Sequence, residues 1–322
     1  MKPTIFIDRP LPLEVKQYLE ESFNLDYWDK NEKIDKETLM LYLSRAEGIL
    51  TAGRTIDERL LEAAPKLRAV STISVGYDHF HFDAMEKHGV IGMHTPNVLD
   101  ETVADLSFAL ILGCARRVAE LDHFVKQGLW NANAGRTIFG TDVHHATLGI
   151  IGMGRIGEAV ARRAKLGFSM DVQYYNRSRK EAVEQQLGVR YSSLEELLKT
   201  SDFVLLLTPL TKATEGMIGR DQFKLMKKSA YFINVSRGQT IDEEALVEAL
   251  SEGWIAGAGL DVFKQEPIQK DHPLLQMKNV LTLPHIGSAT DNTRFNMAML
   301  GAKNLKMALI EAQPQNVARR LS

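Results

Sequence analysis

The chain has 322 residues, long enough for two domains that each bury a core of their own. Its 39 basic and 41 acidic residues are interspersed and leave a formal net charge of −2, so no global field draws it to nucleic acid or to an anionic membrane surface. The most apolar stretch, near Leu106 to Ala115, falls well short of the ~20 residues a membrane span needs, and the single cysteine, Cys114, excludes an internal disulfide and fits a cytoplasmic location.

The apolar piece at the N-terminus, which begins at Met1, is too short for a secretory signal, and residues 4–8 read as a first strand. Short β-rich runs then alternate with helical patterns, as in parallel α/β folds. Upstream, strands are expected at 24–27, 48–52, 69–73 and 90–93, with helices such as 13–22 and 56–64, and this block ends near the turn His94-Thr95-Pro96-Asn97. A helical run over 101–118 follows, in which Cys114 reads as a packing residue, and then a Gly/Asn-rich loop around Trp130, Asn131, Asn133 and Gly135. The second block carries six expected strands, at 147–151, 172–175, 203–208, 231–235, 257–262 and 280–284. The tail from Asp291, with Met297, Leu300, Leu305 and Leu309 at helical spacing, is expected to pack back on the first block.

Gly152-Met153-Gly154-Arg155-Ile156-Gly157 directly follows the first strand of the second block and opens a helix, the order expected of a dinucleotide site. The first glycine permits a sharp turn, the second lets main-chain N–H groups approach a pyrophosphate, and the third lets helix pack on strand. The helix N-terminus then offers free donors and a positive dipole end. The fold expected is therefore α/β, with two Rossmann-like domains on doubly wound parallel sheets: a dinucleotide-binding domain over 99–290, and a discontinuous substrate domain of 1–98 with 291–322.

After the second strand of that domain stands Asn176-Arg177-Ser178-Arg179, with no carboxylate to accept from a free ribose 2′-hydroxyl. Arg177 and Arg179, with Ser178, would instead donate to a 2′-phosphate, so NADP(H) is expected ahead of NAD(H). A solvated basic loop is the alternative reading. Further along, the hydroxyls of Thr208-Pro209-Leu210-Thr211 would line the adenosine cleft, although the same residues also suit a plain strand-ending turn. Val235, Ser236 and Gly287, also at strand ends, complete the cofactor-binding set.

Arg237 sits just beyond an apolar strand and before Gly238, where a planar guanidinium fork suits a carboxylate and a carbonyl oxygen together. Glu266 precedes Pro267, and His285 stands between Pro284 and Ile286-Gly287; they are plausible partners in an acid–base pair. His144 and His145 are adjacent and would diverge if extended, and no cysteine cluster exists, so no metal site is expected.

With Gly152/Gly154/Gly157, Arg237, Glu266 and His285 in that order, the chain resembles the D-isomer-specific 2-hydroxyacid dehydrogenase family over nearly its whole length. Within it, residues Gly140 to His145, Ser71 to Asp78 and Glu101 to Asp105 look most like the bacterial glyoxylate/hydroxypyruvate reductases that also act on 2-ketogluconate. The resemblance implies NADPH-dependent reduction of a small 2-keto acid to a D-2-hydroxy acid. It makes His285 the proton donor, Glu266 its orienting partner and Arg237 the carboxylate and ketone clamp. It also implies that Asp261 binds the nicotinamide carboxamide, for which a turn cap is the alternative, and that the N–H groups of Val75 and Gly76 bind the substrate carboxylate. A homodimer formed through the apolar helix after Glu101, with Trp130 reaching a neighbouring site, is implied as well. Co-repressors of the C-terminal-binding-protein type share the fold and the Arg/Glu/His trio, but the chain shows no long appended tail or low-complexity partner segment. Formate dehydrogenases place glutamine where Glu266 stands.

Overall fold

The computed structural model describes residues 2–30, 32, 34–131 and 134–320; Met1 and Asn133, named in the sequence reading, lie outside the described residues. In the first stretch of chain, β1 (Thr4–Ile7), α1 (Leu13–Glu20), β2 (Asn24–Tyr27), α2 (Lys36–Arg45), β3 (Gly48–Thr51), α3 (Glu58–Ala63), β4 (Ala69–Thr72), α4 (Phe82–Lys87) and β5 (Ile91–Met93) alternate. The strands form a five-stranded parallel sheet in the order β2-β1-β3-β4-β5. The central strands β3 and β4 are buried on both faces, as expected of strands covered by helices on either side. Asp35 and Asp57 start α2 and α3 by accepting the N–H groups of Thr38 and Leu60.

The second stretch opens with α5 (Asp100–Ala115) and α6 (Val118–Lys126), followed by β6 (Thr147–Ile151), α7 (Arg155–Phe168), β7 (Asp171–Tyr175), α8 (Glu181–Leu187), β8 (Arg190–Tyr191), α9 (Leu194–Thr200) and β9 (Phe203–Leu206). It continues through α10 (Arg220–Leu225), β10 (Tyr231–Asn234), α11 (Glu243–Ser251), β11 (Gly257–Leu260) and β12 (Val280–Thr282). These strands form a seven-stranded parallel sheet ordered β12-β11-β10-β9-β6-β7-β8. The chain runs outward from β6 to β8, then returns to β9 on the other side of β6, so the topological switch point lies between β6 and β9, where ligands bind in such sheets.

Finally α12 (Asp291–Leu309) packs on β3 and β4. Its Gly301 permits that approach, because a Cβ there would lie 2.9 Å from Leu50 Cδ1. Asn304, buried on the same helix, donates to the His94 carbonyl at 2.8 Å. The chain accordingly divides into one unit of residues 1–99 with 288–322 and a second of 100–287.

Three details differ from the sequence reading. The nucleotide-type sheet has a seventh strand, the two-residue β8, too short to leave a hydrophobic pattern. The helical run does not continue to Val118: it stops at Ala115, and Arg117 turns left-handed at φ 54 with its guanidinium held by Glu120 and by the carbonyls of Thr137 and Phe139. His144 and His145 do not diverge, since His145 at φ 62 folds the pair so that their Nδ1 atoms lie 2.9 Å apart.

Among the described residues no helix is long and apolar enough to cross a membrane, and no three His, Cys, Asp or Glu side chains gather as a metal site would require. Cys114 is buried in α5, and burial pushes its thiol up to about 12, leaving it protonated and unreactive at neutral pH.

Candidate active site

At the end of β6 the three glycines do three different things. Gly152 turns at φ 106, and a Cβ there would sit 2.8 Å from the Leu207 carbonyl carbon, so this turn and the end of β9 touch backbone to backbone at the switch point. A Cβ on Gly157 would fall 2.6 Å from the Gly152 oxygen, which makes the glycine a condition of close packing between α7 and β6. Gly154, the N-cap of α7, has nothing within 4 Å of its would-be Cβ. It therefore leaves open space over a 14-residue helix N-terminus, the geometry that accommodates a pyrophosphate.

Ile156 is half-buried against the core, whereas Arg155 is exposed and its Nε donates to Asp100 at 3.1 Å. The Arg155 guanidinium thus ties α7 to α5, and what the residue offers an anion is its main-chain N–H at the helix N-terminus.

Beyond β7, Asn176 donates to the Ser178 carbonyl at 2.9 Å and shapes a tight loop on which Arg177, Ser178 and Arg179 are exposed. Arg179 is corrected in its role. Both arms of its guanidinium grip Glu184 at 2.8 and 2.7 Å, and the Tyr174 hydroxyl donates to the same carboxylate at 2.7 Å while accepting from the Lys180 N–H. These bonds, led by the one from Arg179, hold Glu184 below the ordinary carboxylate value, while burial pushes the Tyr174 phenol up to about 12. Arg179 therefore braces the loop on which Arg177 is exposed.

Thr208 is half-buried beside the Gly152 turn, its hydroxyl 3.7 Å from the Met217 sulfur; Pro209 is exposed, with its carbonyl accepting from Thr214 at 2.6 Å.

The acid–base residues converge. His285 Nδ1 lies 2.7 Å from Glu266 Oε2, and Glu266 Oε1 accepts the Phe263 N–H at 3.0 Å. Burial alone would raise the Glu266 carboxyl, but the His285 and Phe263 hydrogen bonds and the charges of His285 and Arg237 outweigh it, and the net shift is downward. Arg237 is half-buried, donates to the Ser236 carbonyl at 2.8 Å and is close enough to Glu266 for its charge to be felt there.

Asp261 is 1% exposed and spends one oxygen on the Ile286 N–H at 2.7 Å and the other on the Gly287 N–H at 2.8 Å. Burial raises its carboxyl above the usual value despite those bonds. What the structure displays for Asp261 is the turn cap: it fixes the segment carrying His285, with one lone pair per oxygen left for a further donor.

Sequence reasoning missed Asn234 and Gly238. Asn234, fully buried at the end of β10, accepts from the Ser236 N–H at 3.0 Å and the Ser236 hydroxyl at 2.7 Å, and donates to the Arg237 carbonyl. The Ser236 hydroxyl is turned into this loop and toward Thr240, so the residue shapes the turn that carries Arg237. Val235 beside it is half-buried and packs on the core. At Gly238 a Cβ would fall 1.9 Å from the Phe263 carbonyl carbon, so the loop bearing Arg237 and the loop bearing Glu266 meet backbone to backbone. A buried asparagine ending an apolar strand and a glycine following the arginine were the available signals.

In the other unit, Val75 and Gly76 lie on the loop after β4. The Ser74 hydroxyl donates to the Gly76 carbonyl at 2.6 Å and the His94 ring meets the Val75 carbonyl at 2.9 Å. Among the described residues no protein group accepts the N–H of Val75 or Gly76.

Residues 108–287 match the family described as D-isomer specific 2-hydroxyacid dehydrogenase, NAD binding domain. The glyoxylate/hydroxypyruvate reductase B of Yersinia pestis (strain Pestoides F) is 48% identical over 316 residues, covering 98% of this chain and 97% of that one. Among solved structures, a Thermus thermophilus protein superposes with a TM-score of 0.90 at 39% identity, over 98% of this chain and 100% of that one. The NADPH-dependent glyoxylate/hydroxypyruvate reductase of Sinorhizobium meliloti, in complex with NADP and malonate, does so at 0.87 and 30% identity over 100% of both chains. The fold, the glycine turn and the family match agree: the chain belongs to the D-isomer specific 2-hydroxyacid dehydrogenases and is an oxidoreductase with that family's NAD-binding domain.

Proposed function

We propose that this protein reduces glyoxylate, hydroxypyruvate and 2-ketogluconate to the corresponding 2-hydroxy acids, of D configuration where the carbon becomes chiral, using NADPH ahead of NADH. The observation that carries the reading is the 2.7 Å contact between His285 Nδ1 and Glu266 Oε2 with the Arg237 charge beside it. The names of the Yersinia and Sinorhizobium relatives support the substrate class, and the exposed Arg177 supports the phosphorylated cofactor.

The open space at Gly154 and the α7 N-terminus fit a dinucleotide, which would be held there by main-chain N–H groups, with Arg177 and Ser178 toward its ribose. When bound, the nicotinamide supplies the hydride. His285 gives its Nε2 proton to the oxygen of the reduced carbonyl. Glu266, ionised and bonded to Nδ1, holds the ring and favours its protonated form. Arg237 holds the substrate carboxylate and polarises the ketone, the N–H groups of Val75 and Gly76 bind the carboxylate from their own loop, and a spare Asp261 lone pair accepts from the carboxamide.

On this reading 1–98 with 291–322 is the substrate domain, 99–290 the dinucleotide-binding domain, and the enzyme works in the cytoplasm as a homodimer. The test is NADPH and NADH oxidation, followed optically, with glyoxylate, hydroxypyruvate, 2-ketogluconate and pyruvate in parallel. Turnover of the first three with a lower Michaelis constant for NADPH is expected. Silence on all four would favour a nucleotide-sensing interaction protein, and a clear preference for NADH would overturn the cofactor assignment.

A further inference from the structure

Glu266 projects from an irregular segment that leaves β11 and runs to the short helical turn Pro273–Gln276. One buried side chain grips this segment near both ends. Glu243, the first residue of α11, accepts the Lys264 N–H on Oε2 at 3.0 Å and lies 3.2 Å from His272 Nε2 through Oε1. His272 Nδ1 accepts the Leu274 N–H at 3.3 Å, so the ring proton of neutral His272 is on Nε2 and points to Glu243. Both partners of Glu243 are thus donors, and only a carboxylate, an acceptor at both oxygens, satisfies the two together.

The backbone at Phe263 and Lys264 is held from further sides. Gln239 donates to the Lys264 carbonyl at 3.0 Å, Gly238 lies against the Phe263-Lys264 peptide, and the Phe263 N–H donates to Glu266 itself. Between Phe263 and Leu274, which are both core residues, Ile268 packs against that core, and Glu243, Lys264, Gln265, Ile268, Gln269 and His272 line a cavity of about 440 Å³. The staple ties the polar stretch on either side of Ile268, from Lys264 to His272, across that cavity.

We infer that Glu243 is a positioning residue for the reduction, stapling Lys264 and His272 so that the Glu266 carboxylate meets His285. The inference rests on the His285–Glu266 pair being the proton-donating unit. The charged groups that act on Glu266 directly are His285 and Arg237, with Asp261 sensing the same pair, and Glu243 acts only through its bonds to Lys264 and His272.

The experiment compares wild type, Glu266→Gln, Glu243→Gln, His272→Leu and His272→Gln in the full-length protein. It reads the pH profile of kcat with the best 2-keto acid of the panel, the Michaelis constant, Tm, and amide exchange over residues 264–272. Glu243→Gln sets an amide N–H₂ against a donor and should lower kcat roughly tenfold, the effect of one charge-assisted hydrogen bond. The Michaelis constant should stay nearly unchanged, and exchange over 264–272 should quicken. The alkaline limit should move to lower pH, in the direction of Glu266→Gln but less far, and adding Glu243→Gln to Glu266→Gln should move it no further than Glu266→Gln alone. His272→Leu should behave alike, and His272→Gln, which keeps a donor near Nε2, should recover most of the loss. A lowered Tm and faster exchange with the alkaline limit in place would overturn the inference and leave Glu243 merely structural. An alkaline limit unmoved in Glu266→Gln itself would overturn the acid-pair reading and this one with it.

Discussion

His285 stands at φ 54, a left-handed conformation that costs a non-glycine residue on the order of 1–3 kcal/mol and persists only where neighbours over-determine it. Those neighbours are identifiable: Asp261 takes the two N–H groups that follow, and Glu266 takes the ring. Asp261→Asn replaces one acceptor with a donor facing an N–H. The loss of a hydrogen bond to a charged group, about 1.5–3 kcal/mol, should lower kcat roughly ten- to hundredfold, measured alongside Tm. His285→Ala should lower kcat by roughly 10²–10⁴-fold with NADPH affinity nearly intact, as expected for a lost general acid; a variant with wild-type turnover would remove His285 from the reaction. Glu266→Gln should bring the alkaline limit of reduction to lower pH, because a neutral amide no longer favours the protonated ring. The folded-state shift of Glu266 is downward from 4.5, so its contribution to stability is complete above that value and is lost as the pH falls through the lowered one. The types and order of Arg237, Glu266 and His285 were legible in the sequence because the chemistry restricts them. Asn234 and Gly238 were not, since their partners lie in the turn after β10 and in a loop some 25 residues away.

At the scale of elements, the strand–glycine–helix unit at β6 and α7 was readable because it is local: each glycine answers a demand made within a few residues of it, apart from the contact of Gly152 with the end of β9. This separates fold from ligand experimentally. Gly154→Ala adds a methyl into open space and should leave Tm within about a degree while raising the Kd for NADPH. Gly157→Ala sets a methyl 2.6 Å from the Gly152 oxygen and should destabilise by about 1–3 kcal/mol, the usual cost of overpacking. Equal effects on Tm would refute the division of labour. The loop after β7 was read less well, because a count of basic residues does not reveal that Arg179 is spent on Glu184, a partner contributed by α8. Arg177→Ala should therefore raise the Michaelis constant for NADPH and leave that for NADH nearly unchanged. Arg179→Ala should affect both modestly by loosening the loop.

At the scale of the molecule, composition and alternation sufficed for two parallel sheets, and much of the apolar excess of α5 is used inside the chain. That helix needs no partner to explain it: α7 packs on one side of it and β10, β11 and β12 on the other, and Leu110 and Ile111 are fully buried. The surface that does want covering comes next in the chain. No residue of α6 is buried, and Val118, Val125, Leu129, Trp130 and Phe139 are all at least half exposed. Arg117 binds the Phe139 carbonyl and so ties that residue to the start of α6. Exposed aromatic and aliphatic groups gathered this way are characteristic of subunit interfaces rather than of free surface. Sedimentation or light scattering should give a mass about twice 36.1 kDa. A Val125→Glu/Phe139→Glu variant would bury two unpaired carboxylates in that interface and should run near the monomer mass with its Tm lowered by the lost subunit contact. A wild-type mass near 36.1 kDa would refute the dimer, and a dimer indifferent to both glutamates would place its interface elsewhere.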